Sequence, residues 1–106
     1  MDQATNKAME CYKICQQTIT HCLEMGGAHA SPAHIGALMD CAKACHMSAD
    51  FMIRGSALHP KVCAVCAAAC NACAESCDQV GPDDEMMQAC AQACRDCAAL
   101  CDQMAG

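Results

Sequence analysis

The stretch Cys63-Ala-Val-Cys66-Ala-Ala-Ala-Cys70-Asn-Ala-Cys73-Ala-Glu-Ser-Cys77 places five cysteines at steps of 3, 4, 3 and 4. That alternation averages close to one helical turn, so on a helix all five thiols share one face. The intervening residues are mostly alanine, a strong helix former. The segment therefore reads as a helix with a row of sulfur down one side, not as a loop wrapped around one ion.

The same spacing recurs through the chain. Cys11, Cys15, Thr18, Cys22 and Met25 form one stripe, and His34, Leu38, Cys41, Cys45, Ser48 and Met52 a second. His59 precedes the five cysteines of the third. Met87, Cys90, Cys94, Cys97, Cys101 and Met104 form the fourth. Helices are expected over about 5–25, 32–54, 60–80 and 83–104. Gly26-Gly27 and Gly55 stop the first two, Gly81-Pro82 the third. Ser31-Pro32 and His59-Pro60 open the second and third, and Asp83-Asp84-Glu85 suits the positive N-terminus of the fourth. Short connections make neighbouring helices antiparallel. The expected fold is all-α: one domain over 1–106, an up-down-up-down four-helix bundle with a cysteine-lined core.

Stacking the stripes gives expected layers: Ala8, Met52, His59 and Met104 at one end; then Cys11, Ser48, Cys63 and Cys101; Cys15, Cys45, Cys66 and Cys97; Thr18, Cys41, Cys70 and Cys94; Cys22, Leu38, Cys73 and Cys90; and Met25, His34, Cys77 and Met87 at the far end, with a register slip of about one layer allowed on any helix.

Composition bounds the chemistry. The chain has 106 residues, 14 cysteines and 9 methionines, against four Leu, four Ile, three Val, one Phe, one Tyr and no Trp. Cysteine this dense usually marks a disulfide scaffold from an oxidising compartment. Such scaffolds are loop-rich with irregular spacing, whereas this spacing is helical. The N-terminus, Met1-Asp2-Gln3-Ala4-Thr5-Asn6-Lys7, lacks a basic region followed by an apolar run. A cytoplasmic location with reduced thiols is expected. A net charge of −6 without basic clusters argues against nucleic acid and anionic membranes. No apolar run reaches membrane-spanning length.

Free cysteine packs as a small hydrophobe, which would explain one or two inward thiols. It does not explain fourteen, because leucine there would make a far more stable bundle. Thiols one turn apart can grip a soft cation between them, and several cysteines belong to two such pairs. Shared thiolates imply many ions along a tube. Thiolate and thioether ligands favour Cu(I), with zinc and iron–sulfur clusters as competitors. Expected ligands are Cys11, Cys15, Cys22, Cys41, Cys45, Cys63, Cys66, Cys70, Cys73, Cys77, Cys90, Cys94, Cys97 and Cys101, with Met25, His34 and Met87 at one end. Met25, His34, Met86 and Met87, with His29 in the adjoining loop, form the expected mouth; Met52, His59 and Met104 mark the other end. His21 and His46 fall off the stripes and receive no role.

Zinc sequestration and an iron–sulfur electron carrier remain the alternatives. The ferredoxin run C-x2-C-x2-C-x3-C-P is absent. The CxxC units lack the βαβ context of thiol redox enzymes, and no phosphate loop or HExxH motif is present. No enzyme is expected.

With these residues in view, the chain resembles the short cytosolic copper storage proteins. Val62–Cys77 is similar to their third helix, Gln88–Cys101 to their fourth, and Cys11-x3-Cys15 with Cys22-Leu23-Glu24 less tightly to their first. The resemblance implies a bundle storing many Cu(I) ions on thiolates, and a homotetramer of such bundles. It also brings out departures. Relatives often carry a His-rich turn between the last two helices, where this chain has Gly81-Pro82-Asp83-Asp84-Glu85-Met86-Met87. Thr18, Leu38 and Ser48 stand where thiols could sit, so a lower capacity and thioether-assisted entry are expected.

Overall fold

The computed structural model describes residues 1–105. Four helices follow one another: α1 (Asp2–Met25), α2 (Pro32–Ile53), α3 (His59–Val80) and α4 (Glu85–Met104). A short 3₁₀ turn, Gly27–Ala30, joins α1 to α2. The helices pack into a rod of 42 × 18 × 17 Å. No described helix is long and apolar enough to cross a membrane.

Local chemistry sets the ends. Gly26, at φ 70°, stops α1, and its N–H donates to the Cys22 carbonyl. Ser31 caps α2, its hydroxyl accepting from the His34 N–H, with Pro32 in the first turn. Asp84 lies outside α4 as its cap, and its Oδ1 accepts from the Met87 N–H at 3.0 Å. α1 begins three residues before its expected start, with the Thr5 hydroxyl donating to the Met1 carbonyl.

Side-chain pairings define the directions. Cys11 meets Cys41 while Cys22 meets His34; Ser48 meets Cys63 while Cys41 meets Cys70; Cys11 meets Cys94 while Cys22 meets Met87. In each pairing numbers rise on one helix as they fall on the other, so α1–α2, α2–α3 and α1–α4 are antiparallel. Helices α2, α3 and α4 keep the expected register, with Cys45 against Cys66 and Cys97.

Helix α1 departs from that register. Cys11 lies against Cys41 and Cys94 rather than level with Ser48, Cys63 and Cys101, and Cys22 lies against His34 and Met87 rather than level with Leu38, Cys73 and Cys90. The shift runs from about two layers at Cys11 to one at Cys22. The 3₁₀ turn carries the chain back across the bundle end before α2 starts, so the last turn of α1 overshoots His34. Met25 is consequently 56% exposed instead of sharing a layer with His34 and Met87. Ala4 and Ala8 take the buried positions of α1 beyond Cys11.

Asp84 ties three parts together: it caps α4, and its Oδ2 faces His21 of α1 and His29 of the 3₁₀ turn. The His21 hydrogen bond, then the Met87 N–H, hold its carboxyl below the usual value. A depressed carboxylate contributes stability above its unfolded pKa, and loses it as pH falls through the folded value. Asp84→Ala should cost about 1 kcal/mol at neutral pH, with Asp84→Asn costing less because Asn still caps. The gap between wild type and Asp84→Ala in thermal unfolding should close below about pH 4.

Candidate metal centre

All fourteen cysteines are 0% exposed, and all are free thiols. Each stripe turns inward because the alternation of 3 and 4 keeps its thiols on one face while alanines and polar residues cover the rest. The result is a continuous column of sulfur along the rod.

The column is densest in the middle. Cys11–Cys94, Cys41–Cys70 and Cys45–Cys70 stand 3.6 Å apart; Cys41–Cys94 and Cys45–Cys66 stand 3.7 Å apart; Cys15–Cys90 and Cys45–Cys97 stand 3.9 Å apart. Four sets of four thiols have their sulfurs within 4.8 Å of one another: Cys11/Cys41/Cys45/Cys70, Cys11/Cys15/Cys41/Cys94, Cys15/Cys73/Cys90/Cys94 and Cys45/Cys66/Cys70/Cys97. Ten cysteines make up these tetrads, and Cys11, Cys15, Cys41, Cys45, Cys70 and Cys94 each belong to two. A metal bonded to sulfur at about 2.3 Å sets its ligand sulfurs about 3.8 Å apart in a tetrahedron and about 4.6 Å apart in a line. The column holds neighbouring sulfurs at 3.6–3.9 Å, close to the tetrahedral spacing, with each tetrad inside 4.8 Å.

The remaining four cysteines flank the tetrads. Cys101 lies 3.9 Å from Cys97. Cys77 is buried, and Cys73 and Cys90 push its thiol pKa up. Cys63 meets the Ser48 hydroxyl at 3.3 Å. Cys22 lies 3.4 Å from both His34 Nε2 and Met87 Sδ.

That last group differs in chemistry: one thiol, one imidazole and one thioether at the end of a thiol column. His34 is 1% exposed, and its Nδ1 lies 2.7 Å from the Ser76 hydroxyl. With Nδ1–H donated to Ser76, the Nε2 lone pair faces Cys22. Burial and then His29 lower the His34 pKa, which keeps the ring neutral and able to ligate. Gly81 is required here for space: a Cβ on it would come within 2.9 Å of Met87 Cγ.

The structure thus brings His34 and Met87 to the column and leaves Met25 outside it, while Met86 is 38% exposed. At the other end Met52 is buried, and the buried Nδ1 of His59 has no hydrogen-bond partner. Ser76 was not among the expected site residues; its signal was a lone hydroxyl among alanines, one position before the last cysteine of α3. His21, given no role from spacing, meets Asp84 at 2.7 Å, and the His46 ring packs at a tilt of 46° against Tyr12.

Burial in a crowd of thiols governs ionisation. Hydrogen bonds with neighbouring thiols, then burial, hold Cys15, Cys45, Cys77, Cys94 and Cys101 far above the ordinary thiol value. Cys22 is pushed up to about 11 by burial and then by the Asp84 charge. Cys11 and Cys90 go the other way, pulled down by S–H groups donated from their neighbours. The column can therefore stabilise a few thiolates and resists becoming wholly anionic unless cations enter with the loss of protons.

A family model described as "Copper storage protein" matches residues 1–106. The structure of the Nmul_A1745 protein from Nitrosospira multiformis superposes with a TM-score of 0.89 at 41% identity, covering 99% of this chain and 97% of that one. The Cu(I)-bound copper storage protein BsCsp3 superposes with a TM-score of 0.91 at 32% identity, with the same coverage. The apo form of that protein, from Bacillus subtilis, gives 0.85 at 32% identity over 97% of this chain and 96% of that one. An uncharacterised cysteine-rich protein of Bacillus subtilis, YhjQ, is 35% identical over 69 residues; this match spans 65% of this chain and 64% of that relative.

The shared tetrads predict unequal effects of single substitutions. Cys94→Ala, which damages two tetrads, should lower the metal bound per chain more than Cys63→Ala, whose nearest polar partner is a serine. Metal-to-protein ratios after anaerobic loading and desalting measure this, and equal losses would contradict the shared-ligand arrangement.

Proposed function

The chain belongs to the copper storage protein family, and from that membership and its thiol column we propose that it binds and stores many Cu(I) ions on cysteine thiolates inside the bundle. One observation carries the reading: the four tetrads overlap. Separate zinc sites need ligands of their own, and at most two of these tetrads share no cysteine. Each filled by zinc would set two positive charges against four thiolates, leaving net negative charge in an apolar interior. Cu(I) replaces about one proton per thiol, so a bridged row of ions and thiolates stays near neutral as it fills. The likeness to Cu(I)-bound BsCsp3 supports the same cargo.

All fourteen cysteines are the proposed ligands. Cys22, His34 and Met87 form the proposed terminal site, with imidazole and thioether accepting the ion before thiolates take it deeper. Thr18, Leu38 and Ser48 are each buried on the stripes without a thiol, so capacity falls short of what a full set of stripes would hold. The proposed role is storage or detoxification, not catalysis. The proposed setting is cytoplasmic, where thiols stay reduced, and the proposed assembly is a homotetramer, without nucleic acid or membrane as partner.

Anaerobic titration of the reduced protein with Cu(I) against a chromophoric chelator tests the reading. About ten or more ions per chain are expected, with about one proton released per ion. Retention should weaken as pH falls, because protons compete for the thiolates. A plateau at one to four ions would contradict storage and favour a sensor, chaperone or zinc-type site.

A further inference from the structure

Outside the thiol column, two imidazoles from two elements meet at the Asp84 carboxylate. His21 Nε2 of α1 lies 2.7 Å from Asp84 Oδ2, and His29 Nε2 of the 3₁₀ turn lies 3.6 Å from the same oxygen. The first is a hydrogen bond and the second is too long for one. His29 Nε2 is shielded from solvent and has no hydrogen-bond partner. A buried polar nitrogen without a partner is costly, and this one stands beside an ionised carboxylate whose other oxygen is occupied in capping α4.

The surroundings admit a ligand. A cleft of about 340 Å³ lies against the cluster, lined by Met25, His29, Val80, Gly81, Pro82, Asp83 and Asp84. It brings a second carboxylate, Asp83, and the thioether of Met25, the residue that the overshoot of α1 leaves outside the column. The side chains of His21, His29 and Asp84 are 29%, 19% and 14% exposed, so water can reach the cluster and complete a coordination sphere.

We propose that His21, His29 and Asp84 form a second metal site, distinct from the thiol column, that takes one divalent ion of borderline character such as Zn(II). Two imidazoles and a carboxylate with an open fourth position are a donor set for zinc and its neighbours, whereas Cu(I) prefers sulfur. With neutral imidazoles the set carries one negative charge; a divalent ion leaves a single positive charge at a hydrated rim, a small cost there. An ion needs about 2.0–2.1 Å to each nitrogen, so its arrival draws the two rings together from their present 6.3 Å centroid separation. It also satisfies the stranded His29 nitrogen.

The test is Zn(II) added to the Cu(I)-loaded chain, whose thiols are already occupied. Zinc is counted with a chromophoric chelator, and the histidine rings are followed by NMR. The expected result is one Zn(II) per chain with perturbed His21 and His29 rings. His21→Gln and Asp84→Asn should each weaken binding at least tenfold while helicity and the copper count at saturation stay unchanged; Asn still caps α4. Zinc binding that is absent, or that survives both substitutions, overturns the proposal and leaves the cluster as an ion pair between elements. On copper-free protein the ring signals of His21 and His29 report on this site alone, so its failure is distinguishable from a failure of the column to load.

Discussion

Sulfur against sulfur in a dry interior is the contact on which this molecule depends. A thiol is a weak hydrogen-bond donor and a small hydrophobe, so rows of them can pack like aliphatic side chains while remaining latent ligands. The distances of 3.6–3.9 Å between neighbouring thiols are packing distances, and they are also near the spacing that a bound ion imposes. The protein therefore needs little rearrangement between a core held by contact and a core held by metal. Large side chains would have strengthened the first state and excluded the second, which accounts for a core made of cysteine and alanine with Leu38 among its few large members.

The same constraint explains the division of labour along the rod. In the middle, the proposed ligands are shared and identical, so no single position is specialised. At the end where His34, Cys22 and Met87 meet, the donors differ and one of them is oriented from behind by Ser76. Only the end needs such fixing: a thiol reorients about a single side-chain torsion, whereas an imidazole ligates through one nitrogen and must have the other one held.

Much of this was legible in the sequence because the 3-and-4 alternation states helix, face and ligand at once. The inward stripes and the register of α2, α3 and α4 follow from it. The register of α1 does not, because the pattern says nothing of how the chain crosses the bundle end. The 3₁₀ turn Gly27–Ala30 moves α1 by one to two layers, and with it Met25 changes from lining to rim. Asp84 was readable as a helix-start acid but not as a partner of His21 and His29, which lie 63 and 55 residues away in sequence. The sequence marked Ser76 only as a lone hydroxyl and gave His21 no role, because their partners, His34 and Asp84, sit on other elements and no periodicity links them.

Gly81 bears on how freely this scaffold can be altered. Its φ of −134° is open to any residue, so the reason for glycine is the Met87 side chain 2.9 Å from where a Cβ would stand. Connections between helices are ordinarily the segments that exchange and lengthen with least penalty. The α3–α4 connection is not free in that sense, since a replacement turn carrying a side chain at this point would push on the buried Met87 side chain. Grafts and insertions aimed at this end would alter the terminal donor set along with the loop, whereas the Arg54–Leu58 connection at the opposite end carries no such restriction at Gly55, where added bulk meets open space and only the backbone angle of 66° favours glycine.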